Sequence, residues 1–238
     1  MTADRWTRAV REQLGLGRLL PLGGPRDGVW IAEGAAEAVL RQASRELRGV
    51  RLGTVRLAVA DPAGAPEPVV PPPPSGLPPG PLRVTAEFAA VPSEPLPTAA
   101  SRLRTALATA AVERLGLVVA EVDLRVTALL DQEEEPQPVR PPRPASAAAA
   151  TEGDEARAGA AALAVPGVTG MTDVLGRAVR LEEREGATAA ALPRRHARVE
   201  ITVSAAHRAL DVARQVRAAV SRALPDQPTV TVLVTSVD

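Results

Sequence analysis

The chain has 238 residues, 45% of them apolar, and its 28 basic residues are balanced by 28 acidic ones, so no broad basic field exists to gather nucleic acid. Two Trp, one Phe and no Tyr leave almost no stacking platforms for bases or sugars. The absence of cysteine excludes a disulfide framework, a thiolate metal site and a cysteine nucleophile.

Every basic residue is arginine, and neither Lys nor Asn occurs. Both missing residues have AT-rich codons, so a high-GC genome explains the pattern better than phosphate binding does. The start, Met1-Thr2-Ala3-Asp4, lacks the features of a signal peptide, and no run approaches about 18 uninterrupted apolar residues. The expectation is a cytoplasmic protein without a direct transmembrane segment, peripheral to a membrane only through a partner.

Residues 1–28 form the first segment. Within it residues 3–14 are predicted helical, because Trp6, Val10 and Leu14 share one face. Packing of that stripe onto the first domain is preferred over membrane contact. Residues 15–24 are Gly-rich but lack the Gly-Lys-Ser/Thr ending and the preceding strand of a phosphate loop.

A first domain is predicted over 29–131. It opens with the extended piece Val29-Trp30-Ile31, followed by a helix over 32–48 whose buried face carries Ala36, Val39, Leu40, Ala43 and Leu47. A strand over 52–60 follows, where Val55, Leu57 and Val59 alternate with polar or small residues. Residues 61–81, with Pro71 to Pro74 in a row, read as a stiff, Pro-rich hairpin loop. Val84, Ala86 and Phe88 mark the next strand; 98–115 is helical through Leu103, Leu107, Ala110, Ala111 and Leu115; Val122, Leu124 and Val126 mark the closing strand.

Residues 132–154 read as a Pro/Ala-rich acidic linker, carrying Glu133 to Glu135 and an Arg-Pro-Pro-Arg-Pro segment at 140–144. A second domain is predicted over 155–238, with a helix over 155–165, a strand at 179–181, a polar loop over 182–197, a strand through Val199, Ile201 and Val203, a helix over 210–224, and a last strand through Val230, Val232 and Val234. The two halves answer each other. Pro166-Gly167-Val168 matches Arg48-Gly49-Val50, Val179-Arg180-Leu181 matches Val55-Arg56-Leu57, and Val234-Thr235 before Asp238 matches Val126-Thr127 before Asp131. The fold class expected is α+β, as two tandem small two-layer units. Each is helix-strand-strand-helix-strand with a three-stranded mixed sheet, because a hairpin runs antiparallel and a helical crossover joins parallel strands.

Chemistry is harder to find. His196 and His207 are the only histidines, both expected at the surface, and their spacing fits no zinc pattern. Glu182-Glu183 and Glu133 to Glu135 read as solvated loop charge. Asp123 has no acidic counterpart in the second half, where Thr231 takes its place. Gly167-Val168-Thr169-Gly170 has the letters of a KH loop, yet it precedes a strand instead of linking two helices. No catalytic, cofactor-binding or metal-binding residues are assigned, and no cofactor is expected.

Pro166-Gly167-Val168-Thr169-Gly170-Met171, a strand hairpin, a helix carrying Val212, Val216, Arg217 and Val220, and the run Val230 to Val234 together resemble the alkaline-shock or Gls-type family of bacterial envelope stress response proteins. Residues 31–50 and 82–126 resemble it as well. The chain departs from that family in its tandem arrangement, in its Pro-rich loop, and in the missing Tyr-Gly after the second strand, here Ala89-Ala90 and Ala205-Ala206. The resemblance implies a non-enzymatic interaction or scaffold protein that associates with itself or with a membrane-anchored protein partner and supports the cell envelope under stress. The alternative is a nucleic-acid-binding, KH-like regulatory module.

Overall fold

The computed structural model of the chain describes residues 17–133, 138–148, 150, 152–184 and 194–238. The helix expected over 3–14 lies outside the described residues, as do Glu134 and Glu135.

The fold is mixed α+β, with four α-helices and two sheets among the described residues. In chain order the elements are β1 (Leu19–Pro21), β2 (Val29–Ala32), α1 (Glu33–Ser44), β3 (Val50–Val59), β4 (Leu82–Ala90), α2 (Leu96–Thr109), β5 (Val119–Leu129), α3 (Gly153–Leu163), β6 (Val168–Met171), β7 (Val179–Arg184), β8 (Arg194–Val203), α4 (Ala209–Ala223) and β9 (Thr229–Val237). A π-helical stretch, Ala110–Leu115, prolongs α2 and stops at Gly116, whose left-handed backbone (φ 90°) ends the helix without a Cβ penalty. Helix α2 begins at Leu96, two residues before the expected start, with Pro97 in its first turn, where no intrahelical N–H bond is lost.

The smaller sheet has the order β3-β4-β5, with β3 and β4 antiparallel and β4 and β5 parallel. Alternation works as in the sequence. Val55, Leu57, Val59, Val84, Ala86 and Phe88 point into the core, while Arg56, Arg83 and Thr85 are exposed. Helix α2 covers its inner face and α1 touches β3.

The larger sheet departs from the expected three strands. It has six, in the order β1-β2-β9-β8-β6, with β7 also on β8. Two causes account for this. The Gly-rich start hides a short strand, Leu19–Pro21, which pairs with β2, and β2 itself crosses over to lie parallel to β9, Val29 opposite Val232 and Ile31 opposite Val234. The extended piece expected to open the first domain thus belongs to the sheet of the second half. In addition, the strand expected near 179–181 is preceded by β6, which pairs the far end of β8. The polar loop expected over 182–197 is shorter: Glu182 and Glu183 lie in β7, opposite His196 and Arg195 of β8.

A further correction concerns layers. Ala197, Val199 and Ile201 of β8 lie beside Val230, Val232 and Val234 of β9 and form an apolar face. Helix α3 packs on that side: a Cβ at Gly159 would meet Val179, the cross-strand partner of Val199. Helix α4 lies against α3 and β9, with Val212, Ala213, Val216 and Val220 buried. The expected two-layer units assign no covering layer to the opposite face. Pro-rich chain lies across it. Thr231 Oγ1 donates to the Pro71 carbonyl (2.7 Å), Trp30 Nε1 donates to the Leu77 carbonyl (3.0 Å), and Ser236 Oγ donates to the Pro142 carbonyl (2.8 Å). Ala147 N–H bonds the Met171 carbonyl as well (2.9 Å). Parts of both the 61–81 loop and the 132–154 segment therefore serve as a second covering layer, with Val70 and Pro73 buried. Proline suits this position, since it covers apolar surface while bringing no N–H that would need a partner.

One apolar core runs through both sheets, from Trp30, Leu40 and Ile201 to Phe88, Leu103 and Leu107. Where the helical layers meet, a Cβ on Gly116 would stand 2.5 Å from Leu210 Cβ, and Arg208 Nε donates to the Val112 carbonyl (3.1 Å).

Candidate functional site

The covered face of the larger sheet concentrates the unusual chemistry. His196, Arg198 and Glu200 alternate along β8 and so share that face, and all three are buried. Beside them on β9 stand Thr231 and Leu233, opposite Arg198 and Glu200 respectively.

Sequence reasoning expected His196 in a surface loop. It is instead 5% exposed, because β8 starts at Arg194 and pairs with both neighbours at this level, and its Nδ1 lies 2.9 Å from Thr229 Oγ1. His207 is exposed, in the turn between β8 and α4, as expected. The two histidines are not brought together.

Glu200 is fully buried. Its carboxylate accepts from the Leu175 N–H (3.1 and 3.3 Å), and Arg198 Nη2 donates to the Leu175 carbonyl (3.2 Å), so the turn between β6 and β7 caps both side chains. Loss of hydration pushes the Glu200 carboxyl up to about 8, outweighing the attraction of Arg198, which stands 3.9 Å away. Burial lowers the pKa of Arg198 in turn, and its Nε has no hydrogen-bond partner. Thr172 Oγ1 and Thr235 Oγ1 are 3.0 Å apart, and Thr235 also donates to the Ile201 carbonyl (3.1 Å). A neutral carboxyl beside an arginine can in principle hold or give a proton, but a wholly enclosed group acts only on what reaches it. As built, the row fastens covering chain to sheet. The signal in the sequence was the polar alternation of β8 itself; what hid it was that nothing local says which chain covers that face.

Glu182 and Glu183 are exposed on β7, as is Asp123 on β5, beside Arg83 (3.7 Å). Gly167-Val168-Thr169-Gly170 forms a turn and then β6, and Gly167 (φ 93°) lies against Val212 and His207, so no KH-type loop exists at this position. A separate cleft of about 830 Å³ lies between α1, β3 and residues 138–142, lined by Arg41, Arg48 and Arg140 with Glu37, Glu46 and Glu133. Residues 134–137 lie outside the described residues. Among the described residues no three His, Asp or Glu side chains converge to hold a metal ion, and no helix is long and apolar enough to cross a membrane.

No family model and no curated protein matches this chain. What it does must therefore be argued from its own surfaces.

Proposed function

We propose that the chain is a non-enzymatic interaction protein built from two fused copies of one unit, acting by self-association or by binding a membrane-anchored partner, in the manner the resemblance to alkaline-shock or Gls-type proteins implies. The repeated order of elements supports the fusion. β3-β4-α2-β5 and β7-β8-α4-β9 each make an antiparallel pair followed by a parallel crossover, and each set is preceded by a helix.

The observation that carries the interaction reading is an asymmetry between the two sheets. Strand β9 has both faces buried and its outer edge paired by β2, whereas β5, in the corresponding place, pairs only β4 among the described residues and has its second half exposed. Val126 is 38% and Leu129 60% exposed there. An 11-residue strand with an open edge is a template for another chain unless something covers it. The polar row of the larger sheet, meanwhile, is committed to holding the fold.

The test is sedimentation of the purified chain over a wide concentration range, together with affinity capture from membrane and soluble fractions. Self-association, or stoichiometric recovery of a membrane-anchored protein, is the result expected. A monomer at all concentrations that recovers no such partner rules the reading out.

A further inference from the structure

The edge of β5 also carries information about which partner fits it. From Glu121 to Val126 the strand is regular, in step with Arg83 to Phe88, and irregularities flank this run on both sides. Val122, Leu124 and Val126 form its inward row, opposite Val84, Ala86 and Phe88, while Asp123 and Arg125 face outward. About Leu124 the run is a palindrome of complementary chemistry: a valine two residues away on each side, and between them an aspartate on one side and an arginine on the other.

We propose that β5 pairs antiparallel with β5 of a second copy, on a two-fold axis through Leu124, joining two three-stranded sheets into one of six strands. This rests on the self-association reading given above and names its surface. In that register Val122 lies opposite Val126 of the second copy and Asp123 opposite Arg125 of the second copy, each pair occurring twice by symmetry. Sliding the axis to Arg125 would set arginine against arginine; moving it to Asp123 would set two aspartates together. The register is thus chosen by charge as well as by the apolar row. An isologous contact of this kind closes at two chains and leaves no β5 edge to propagate, which a parallel head-to-tail contact would not do.

The fold already accepts a strand at this position. In the larger sheet the corresponding edge, that of β9, is covered by β2. Among the described residues, Arg104 Nε, at the exposed surface of α2, donates to the Val122 carbonyl of β5 (3.2 Å). Pairing exchanges that exposed bond for a main-chain ladder. The charged pairs also have local partners, since Arg83 contacts both Glu121 and Asp123 on the outer face of the sheet.

The test uses the full chain and charge reversal. R125D sets aspartate against aspartate twice and should weaken the dimer about tenfold or more, and D123R/R125D should restore it to within about threefold of the parent. Thermal melts run alongside separate loss of association from loss of fold. Because the parent has no cysteine, L124C supplies a second readout: oxidation should link two copies through this one residue, whereas T85C, on the exposed middle strand of the same sheet, should not. The proposal is overturned if R125D associates as tightly as the parent, or if folded L124C stays unlinked while the parent is dimeric. Either result leaves self-association standing at another surface. It is overturned together with self-association if the parent is a monomer. Slow amide exchange of 121–127 in a monomer would show that residues of the same chain cover the edge.

Discussion

Arg198 and Glu200 stand on the same face of β8 with Nη2 and Oε1 3.9 Å apart, and both reach the main chain of one residue, Leu175. The pair is a clamp more than an ion pair, because the arginine grips the carbonyl and the carboxyl grips the N–H of the turn that covers them. Such a clamp tolerates a neutral carboxyl, which removes the cost of burying a second charge.

Stability should therefore fall as pH rises. Glu200 titrates near 8 in the folded chain, against 4.5 for the free side chain. Between those values the folded state holds a proton that the unfolded state has released, so unfolding becomes easier with increasing pH until about pH 8 and then levels off. At about 1.4 kcal/mol per pH unit, the loss across the window is on the order of a few kcal/mol. E200Q, which cannot ionise, should flatten that slope and exceed the parent in stability at pH 9. Urea titrations at pH 5, 7 and 9 measure this, and equal slopes for the two proteins would refute it.

The acid side has the opposite sign. Burial alone would raise the pKa of Glu33 and Asp27, but Arg18 and the Leu57 N–H bond Glu33, and Arg214 and the Gly24 N–H bond Asp27, and these contacts hold both carboxyls below their ordinary values. Their contribution is present above about pH 4.5 and is lost as pH falls through the lowered values. E33Q should cost about 1.5–3 kcal/mol at pH 7, typical of a bond to a charged group, and less at pH 3. The same urea titrations carried to pH 3 test it, since a cost independent of pH would contradict the assignment.

Where Gly116 meets Leu210, the two helical layers leave no room. G116A forces a left-handed alanine and drives its Cβ to 2.5 Å from Leu210 Cβ, so a loss of about 1–3 kcal/mol is expected. L210A keeps the Cβ but removes Cδ2 and Cγ, which the new methyl would meet at 2.9 and 3.3 Å, and exacts its own cavity cost, so the double variant should lose somewhat less than the sum of the singles. Strict additivity in a denaturation cycle would mean that the layers do not meet there.

Much of this architecture was legible because it is written in local periodicity. The alternation of Val55, Leu57 and Val59, of Val199, Ile201 and Val203, and of Val230, Val232 and Val234 fixed strands that the structure contains, and the helical stripes of Leu103 and Leu107 or Val216 and Val220 fixed helices. Failures came where the deciding partner was distant. Nothing near Val29 says that it pairs with Val232, and nothing near Arg198 says that residues 71–77 and 175 close over that face. His196 was expected at the surface for the same reason: polar alternation marks the face turned away from the first core, and only tertiary packing decides whether that face meets water. A strand of three residues, Leu19–Pro21, carries too little pattern to be recognised at all.

The Pro-rich segment offers the most direct check on that covering layer. Trp30 is 1% exposed, held by the Leu77 carbonyl from one side, and Thr231 is held by Pro71 nearby. Replacing residues 64–76 with a short Gly-Ser turn keeps the antiparallel β3-β4 pair, whose register ends at Val59 and Leu82, but strips cover from β2 and β9. In a W6F background Trp30 is the sole indole, so its emission should move to longer wavelength and become accessible to a soluble quencher. The conservative variant W30F removes only the bond to Leu77 and part of the packing, at a cost of about 1–2 kcal/mol. A projecting, inert loop predicts the contrary: unchanged emission and unchanged stability after its removal. That outcome would return residues 61–81 to the role of a simple hairpin connection and leave the buried state of Thr231 without a cause.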